Sequence, residues 1–88
     1  MKHVKLFYLD YCPHCKKTKR DLDELMKDEK YSKIQIEWIE ESKEKEIADQ
    51  YDYYYVPCFY VDEIKMKEGA LQMSDVKEVL DAALSDVF

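Results

Sequence analysis

The sequence predicts an α/β fold, a mixed four-stranded sheet built in the order βαβαββα with helices on both faces. Three observations carry that prediction. Short apolar runs of strand length alternate with longer segments whose apolar residues recur at helical spacing, the pattern of βα units rather than of a bundle or a sandwich. A helical segment separates the first two strand-like runs, which implies a parallel pair joined by a right-handed crossover. Only Asp62-Glu63 separates the last two, which implies an antiparallel hairpin.

The elements follow in order. Val4 to Leu9 is a compact apolar run that fits a buried strand, and Leu22, Leu25 and Met26 then recur at helical spacing. Ile34, Ile36 and Trp38 alternate with Gln35 and Glu37, a strand with one buried face that would pair parallel to the first. Ser42 to Gln50 reads as a short helix with Ile47, Ala48 and Tyr51 on one side and charge elsewhere. Cys58 to Val61 and Ile64 to Met66 form the hairpin, whose turn lacks its usual glycine, so that its type stays open. Ser74 is the N-cap of a last helix with Val76, Val79, Leu80, Ala83, Leu84 and Val87 at core spacing. Residues 1–88 make a single domain, long enough for one small core, with no linker, repeat or low-complexity segment.

The chemistry lies in Tyr11-Cys12-Pro13-His14-Cys15, where the first strand gives way to the first helix. Pro13 suits the first helical position, because its missing N–H would be unpaired there anyway and its fixed φ is already helical. Cys12 is then the N-cap. Its sulfur faces free backbone N–H groups and the positive end of the helix dipole, which favour thiolate over thiol. Cysteines so placed fall from about 8.5 into the range ~3.5–7.5, worth roughly 1 to 7 kcal/mol of thiolate stabilisation. The His14 imidazole is expected to push the same way, as are the fields of Lys16 and Lys17. Cys12 would attack a disulfide, and Cys15, one turn in and more buried, would resolve the mixed disulfide. Lys19 and Arg20 read as the solvated face of the helix.

A second signal is Val56-Pro57. A Tyr-Cys-Pro-x-Cys motif after the first strand, followed by a Val-Pro that opens a later one, resembles the thioredoxin superfamily. The short chain and Tyr11 are similar to glutaredoxins in particular. The resemblance implies a thioredoxin fold, a thiol-disulfide oxidoreductase activity and a cis peptide at Val56-Pro57. It also implies that Val56 pairs through its backbone with the substrate while Pro57 shapes the groove. Lys17 stands where glutaredoxins often carry the basic residue that meets the glutathione carboxylate, which implies glutathione as a co-substrate. The tail differs: glutaredoxins carry a Gly-Gly pair followed by an acid, and this chain has Gly69-Ala70, more similar to the end of a thioredoxin. Thioredoxins in turn have Trp before the first cysteine, an extra strand and helix at the start, and a buried acid in the strand leading to the motif. Leu6 stands roughly where that acid would be, so no general base for Cys15 is evident. Pro13-His14 resembles the strongly oxidising members of the superfamily.

Other readings of the same residues stay open. Cys12, Cys15, Cys58 and His14 offer enough ligands for a metal or iron-sulfur carrier, though Pro-His inside a CxxC is unusual for a zinc knuckle. A purely structural bridge over so short a loop would remove little chain entropy. A binding domain with a vestigial dithiol would need neither thiol. Tyr51, Tyr53, Tyr54 and Tyr55 either cover the small sheet or, with Tyr55 foremost, grip a substrate beside Tyr11. Cys58 reads as a buried small hydrophobe and His3 as an edge residue without function.

Twenty acids against fourteen bases leave a net charge of -6, which argues against nucleic acid and anionic membranes and favours basic partners. Met1-Lys2-His3-Val4-Lys5 begins charged and the apolar run ends at Asp10, too short for a signal or a span. The expectation is a cytoplasmic monomer with no bound cofactor. Disulfide-bearing proteins would be its substrates, and glutathione or a protein reductase its electron donor. A cleaved leader would reverse the expectation about location.

Overall fold

The computed structural model describes residues 2–85. Along the chain lie β1 (Val4–Tyr8), α1 (Pro13–Leu25), α2 (Glu29–Ser32), β2 (Ile36–Glu40), α3 (Lys45–Ala48), β3 (Cys58–Val61), β4 (Ile64–Glu68) and α4 (Met73–Leu84). The sheet order is β2-β1-β3-β4. β1 runs parallel to β2, with Val4 opposite Ile36 and Tyr8 opposite Glu40, and antiparallel to β3, with Val4 opposite Val61 and Phe7 opposite Cys58. β3 and β4 form the antiparallel hairpin. The mixed four-stranded α/β sheet expected from the sequence is the sheet observed.

β1 reads as a continuous apolar run because both of its faces are buried. Val4 and Leu6 meet Leu22 of α1, Val76, Val79 and Leu80 of α4, and Phe59 and Val61 of β3. Phe7 points the other way, into a smaller cluster with Ile39, Ala48, Cys58 and Tyr60. Burying one such side chain is worth roughly 1.5–3 kcal/mol, so these residues set where β1 lies and therefore where α1 begins. α1 turns Cys15, Thr18 and Leu22 inward at helical spacing.

The structure corrects several boundaries. β2 begins at Ile36, with Ile34 buried just before it, and Trp38 is 38% exposed rather than buried. β2 is an outer strand of the sheet, and the indole stands edge-on to Tyr8 at 5.6 Å. α3 is a single turn instead of a helix from Ser42. Glu40 accepts the Ser42 N–H at 2.7 Å and the Ser42 hydroxyl at 2.6 Å, drawing that segment into a turn. α4 is capped by Gln72, two residues before Ser74, because the Asp75 carboxylate reaches back to the Gln72 N–H at 2.9 Å. Val87 lies outside the described residues. α2 was not anticipated, since four residues are too few to show a period. Asp28 caps it by accepting the Lys30 N–H, and Tyr31 ties it to α4 through Asp81.

The glycine-free hairpin closes with both central residues in the left-handed region, Asp62 at φ +46° and Glu63 at φ +69°, the arrangement of a type I′ turn. For non-glycine residues this costs roughly 1–2 kcal/mol each. Long-range bonds offset it. Asp62 Oδ1 accepts the His3 N–H at 2.8 Å, the Asp62 N–H donates to the His3 carbonyl at 2.8 Å, and Glu63 holds Lys5 at 2.5 Å.

Two substitutions test this account by urea unfolding. Thr18 is fully buried and its hydroxyl has no partner among the described residues. Thr18→Val keeps the shape, removes the unpaired group and is expected to raise stability by about 1 kcal/mol. Phe59→Ala opens a cavity where the sheet meets α4 and is expected to lower stability by about 3–5 kcal/mol.

Candidate active site

After β1 the chain turns back on itself, with the Cys12 N–H donating to the Leu9 carbonyl at 3.2 Å. Cys12 has extended dihedrals, φ -80° and ψ 122°, and is the N-cap of α1 with Pro13 directly after it. The Cys12 carbonyl accepts the first helical bond, from Lys16 N–H at 3.0 Å. Cys15 is one turn further in, 6% exposed, and its sulfur accepts the Leu9 N–H at 3.5 Å. Cys12 is partly exposed, and both cysteines are free thiols.

The two sulfurs differ as their positions dictate. Burial works against a thiolate at Cys12, yet the Cys15 backbone N–H, the Cys15 thiol and the His14 backbone N–H outweigh it and hold Cys12 below the ordinary thiol range. No single capping bond of ordinary geometry forms, so the stabilisation is spread over the helix end. His14 contributes to this through its backbone N–H, and its imidazole is exposed with no bonded partner among the described residues. Cys15 is pushed up to about 12, mainly by burial and further by Cys12 and the Glu41 carboxylate, against the Leu9 N–H.

Val56-Pro57 is a cis peptide. Pro57 is fully buried and its carbonyl accepts the Gly69 N–H at 2.9 Å. Gly69 has φ +91°, a conformation that suits glycine, and a Cβ there would stand 3.7 Å from the Cβ of Tyr55. The tyrosine cluster divides. Tyr51 and Tyr53 lie on Phe7, each with ring centroids 4.9 Å from it. Tyr54 and Tyr55 are 80% and 67% exposed, and one oxygen of Glu68 holds their backbone N–H groups at 2.8 and 3.0 Å. Tyr11 is also exposed, next to Cys12. Lys17 is bound to Asp21 at 2.7 Å, so its cation is engaged on its own helix.

Cys58 is fully buried, and burial first, then Glu68, raise its thiol to about 12. Among the described residues no three His, Cys, Asp or Glu side chains are arranged to hold a metal ion. His3 directly precedes β1, an inner strand of the sheet, and its ring lies 2.8 Å from Glu37.

Residues beyond the motif also shape the site. Glu40, held down to about 2 by the Ser42 hydroxyl and by backbone N–H groups, donates nothing and accepts the Asp10 N–H at 3.1 Å, which fixes the loop before Cys12. Glu41 accepts the Tyr53 hydroxyl at 2.5 Å and lines one cleft with Tyr11. A second cleft, about 450 Å³, lies between α1 and β2 and is lined by Tyr8, Leu9, Asp10, Cys15, Lys16, Lys19 and Trp38. The acid pair Glu40-Glu41 followed by Ser42 is the one sequence signal that marks this end of β2.

The family model for thioredoxin matches residues 2–86. Among solved structures, the oxidised thioredoxin of Plasmodium falciparum is similar at 18% identity and TM-score 0.72, over 96% of this chain and 82% of that one. A thioredoxin mutant from Halobacterium salinarum is similar at 18% identity and TM-score 0.71, over 99% and 78%. The germline-specific thioredoxin Deadhead of Drosophila melanogaster follows at 19% identity and TM-score 0.68, over 92% and 79%. No curated protein sequence matches closely enough to add a relative.

Alkylation by iodoacetamide, followed residue by residue by mass spectrometry across pH, reads the thiols directly. Cys12 is expected to react with a midpoint below an ordinary thiol, and Cys15 and Cys58 to stay unmodified until strongly alkaline pH. The rate at Cys12 should fall as pH drops through its lowered pKa. Equal midpoints for Cys12 and Cys15 would contradict the asymmetry.

Proposed function

The chain belongs to the thioredoxin family, and from that premise we propose a thiol-disulfide oxidoreductase that acts on disulfides of protein substrates. The observation that carries the reading is the split between Cys12, favoured as thiolate, and Cys15, held as thiol.

The Cys12 thiolate attacks one sulfur of the substrate disulfide, a Cys12–substrate disulfide forms, and the other substrate sulfur leaves as thiolate and takes a proton from water. Two of the influences that raise Cys15, its contact with Cys12 and the Cys12 charge, vanish at that moment because Cys12 no longer carries a free sulfur. The Cys15 thiol then loses its proton more easily and attacks Cys12, releasing the second substrate thiol. Two electrons have passed from the dithiol to the substrate, and an external thiol donor, glutathione or a protein reductase, restores the pair. During the attack Val56, whose peptide groups have no hydrogen bond among the described residues, offers its backbone to an extended substrate beside the buried Pro57. Exposed Tyr55 and Tyr11 flank that line.

Protein substrates are favoured over glutathione mixed disulfides by two features: Lys17 is occupied by Asp21, and the tail carries the single Gly69. The proposal includes a monomer working in a thiol-reducing compartment such as the cytoplasm. A metal carrier is not favoured, since Cys58 is fully buried and no ligand cluster forms among the described residues.

Mixing the Cys15→Ser variant with a disulfide-bearing model protein is expected to trap a Cys12-linked adduct, and Cys12→Ser is expected to trap none. Absence of any adduct while Cys12 still alkylates would overturn the reading. In graded glutathione buffers, with Cys58→Ser removing the third thiol, a dithiol potential near about -270 mV would support a reductase. One near about -120 mV would overturn that direction of flux in favour of an oxidase.

A further inference from the structure

Val56 has free peptide groups beside the dithiol, and two successive residues at the end of β4 hold the chain on both sides of it. Before Val56, one oxygen of the Glu68 carboxylate accepts the Tyr54 N–H at 2.8 Å and the Tyr55 N–H at 3.0 Å. After it, the Gly69 N–H donates to the Pro57 carbonyl at 2.9 Å. No backbone–backbone hydrogen bond holds residues 53–56 among the described residues. The main chain there is fixed by a side chain from another strand.

Glu68 is itself held in place. Its backbone stands opposite Cys58 at the end of the β3–β4 ladder, and its second carboxylate oxygen holds Lys65 at 3.0 Å. Lys65 also stands over the Tyr54 ring, 5.8 Å from its centroid. Two successive N–H groups that converge on one anion form a nest, and bonds of this kind are roughly twice as strong as those between neutral groups. The Tyr54 and Tyr55 rings are 80% and 67% exposed, so their burial does not order this stretch. The carboxylate does.

We infer that Glu68 is a positioning residue: with Gly69 it holds the Val56 peptide groups ready for an extended substrate, and so makes the site favour disulfides carried in a stretch of backbone over disulfides without one. The inference rests on the oxidoreductase reading for the reaction at Cys12 and adds to it a determinant of substrate class. The hydrogen bonds of the Glu68 carboxylate go to the loop and to Lys65, and none goes to Cys12 or Cys15. Glu68 acts by ordering the chain before the substrate arrives, so that binding does not have to supply that ordering.

The test compares two uncharged substrates that share one disulfide: cystine blocked at its amino and carboxyl groups, and the same cystine flanked on each side by Ser-Val-Ser. Wild type is expected to show a kcat/KM roughly tenfold higher for the flanked form, mostly through KM. Glu68→Ala should bring that ratio down to about two, and Glu68→Gln, which keeps a neutral acceptor, to about five. The ratio within each variant is the readout, so a change in Cys12 reactivity or in the folded fraction cancels. A merely structural role for Glu68 would lower both rates together, and an unchanged ratio in Glu68→Ala would overturn the inference. Should that variant fail to fold, Glu68→Gln decides in the same way, because it keeps the shape and removes only the charge. A wild-type ratio near one would overturn the inference as well, whereas failure of wild type to reduce either substrate would overturn the oxidoreductase reading. Amide hydrogen exchange gives a second check: it should quicken at Tyr54 and Tyr55 in Glu68→Ala beyond any change at the β1 amides, and a change no larger there than in β1 would overturn the positioning role.

Discussion

Burial of Val4, Leu6 and Phe7 on opposite faces of β1 anchors that strand between β2 and β3, and through the short turn at Leu9 it fixes where α1 starts. Everything chemical in the molecule is measured from that point. The Leu9 N–H that reaches the Cys15 sulfur belongs to the residue just past β1, so this thiol is positioned by the sheet as well as by its own helix. A shift of β1 by one residue would exchange its two faces and carry the dithiol with it.

The pair of thiols is made unequal by three residues of separation on one helix. The N-cap position exposes Cys12 to backbone N–H groups, while one turn inward Cys15 meets buried side chains and the field of Glu41. Burial disfavours charge at both sulfurs, and the helix end compensates for it at one. The contributors at Cys12 are the Cys15 and His14 backbone N–H groups and the Cys15 thiol.

On the other side of the dithiol, an aromatic loop is fastened by groups remote in sequence. Glu68 holds the Tyr54 and Tyr55 backbones, Gly69 holds the Pro57 carbonyl, and Lys65 holds the second Glu68 oxygen at 3.0 Å. The rings of Tyr54 and Tyr55 stay outside because Tyr51 and Tyr53 have filled the space against Phe7. Four tyrosines close in sequence thus serve two purposes.

Much of this could be read from the chain alone. Period and length reveal strands and helices whose interactions are local, and the N-cap role of Cys12 follows from Pro13 and the spacing to Cys15, with no distant partner required. Recurrence of apolar residues likewise marked the inward faces of β1 and α4. Other features were illegible because they are pairings between distant residues. Trp38 is exposed because its strand is the outermost one, and a hairpin without glycine is held by His3 and Lys5 at the far end of the sequence. Which lysines are neutralised, and which are left facing a cleft, depends on where each carboxylate comes to rest. Sequence determined the placement of the two thiols at the helix end and the order of the elements, since both depend on neighbours along the chain. Tertiary structure decided the surroundings of those atoms, because charge and burial depend on neighbours in space.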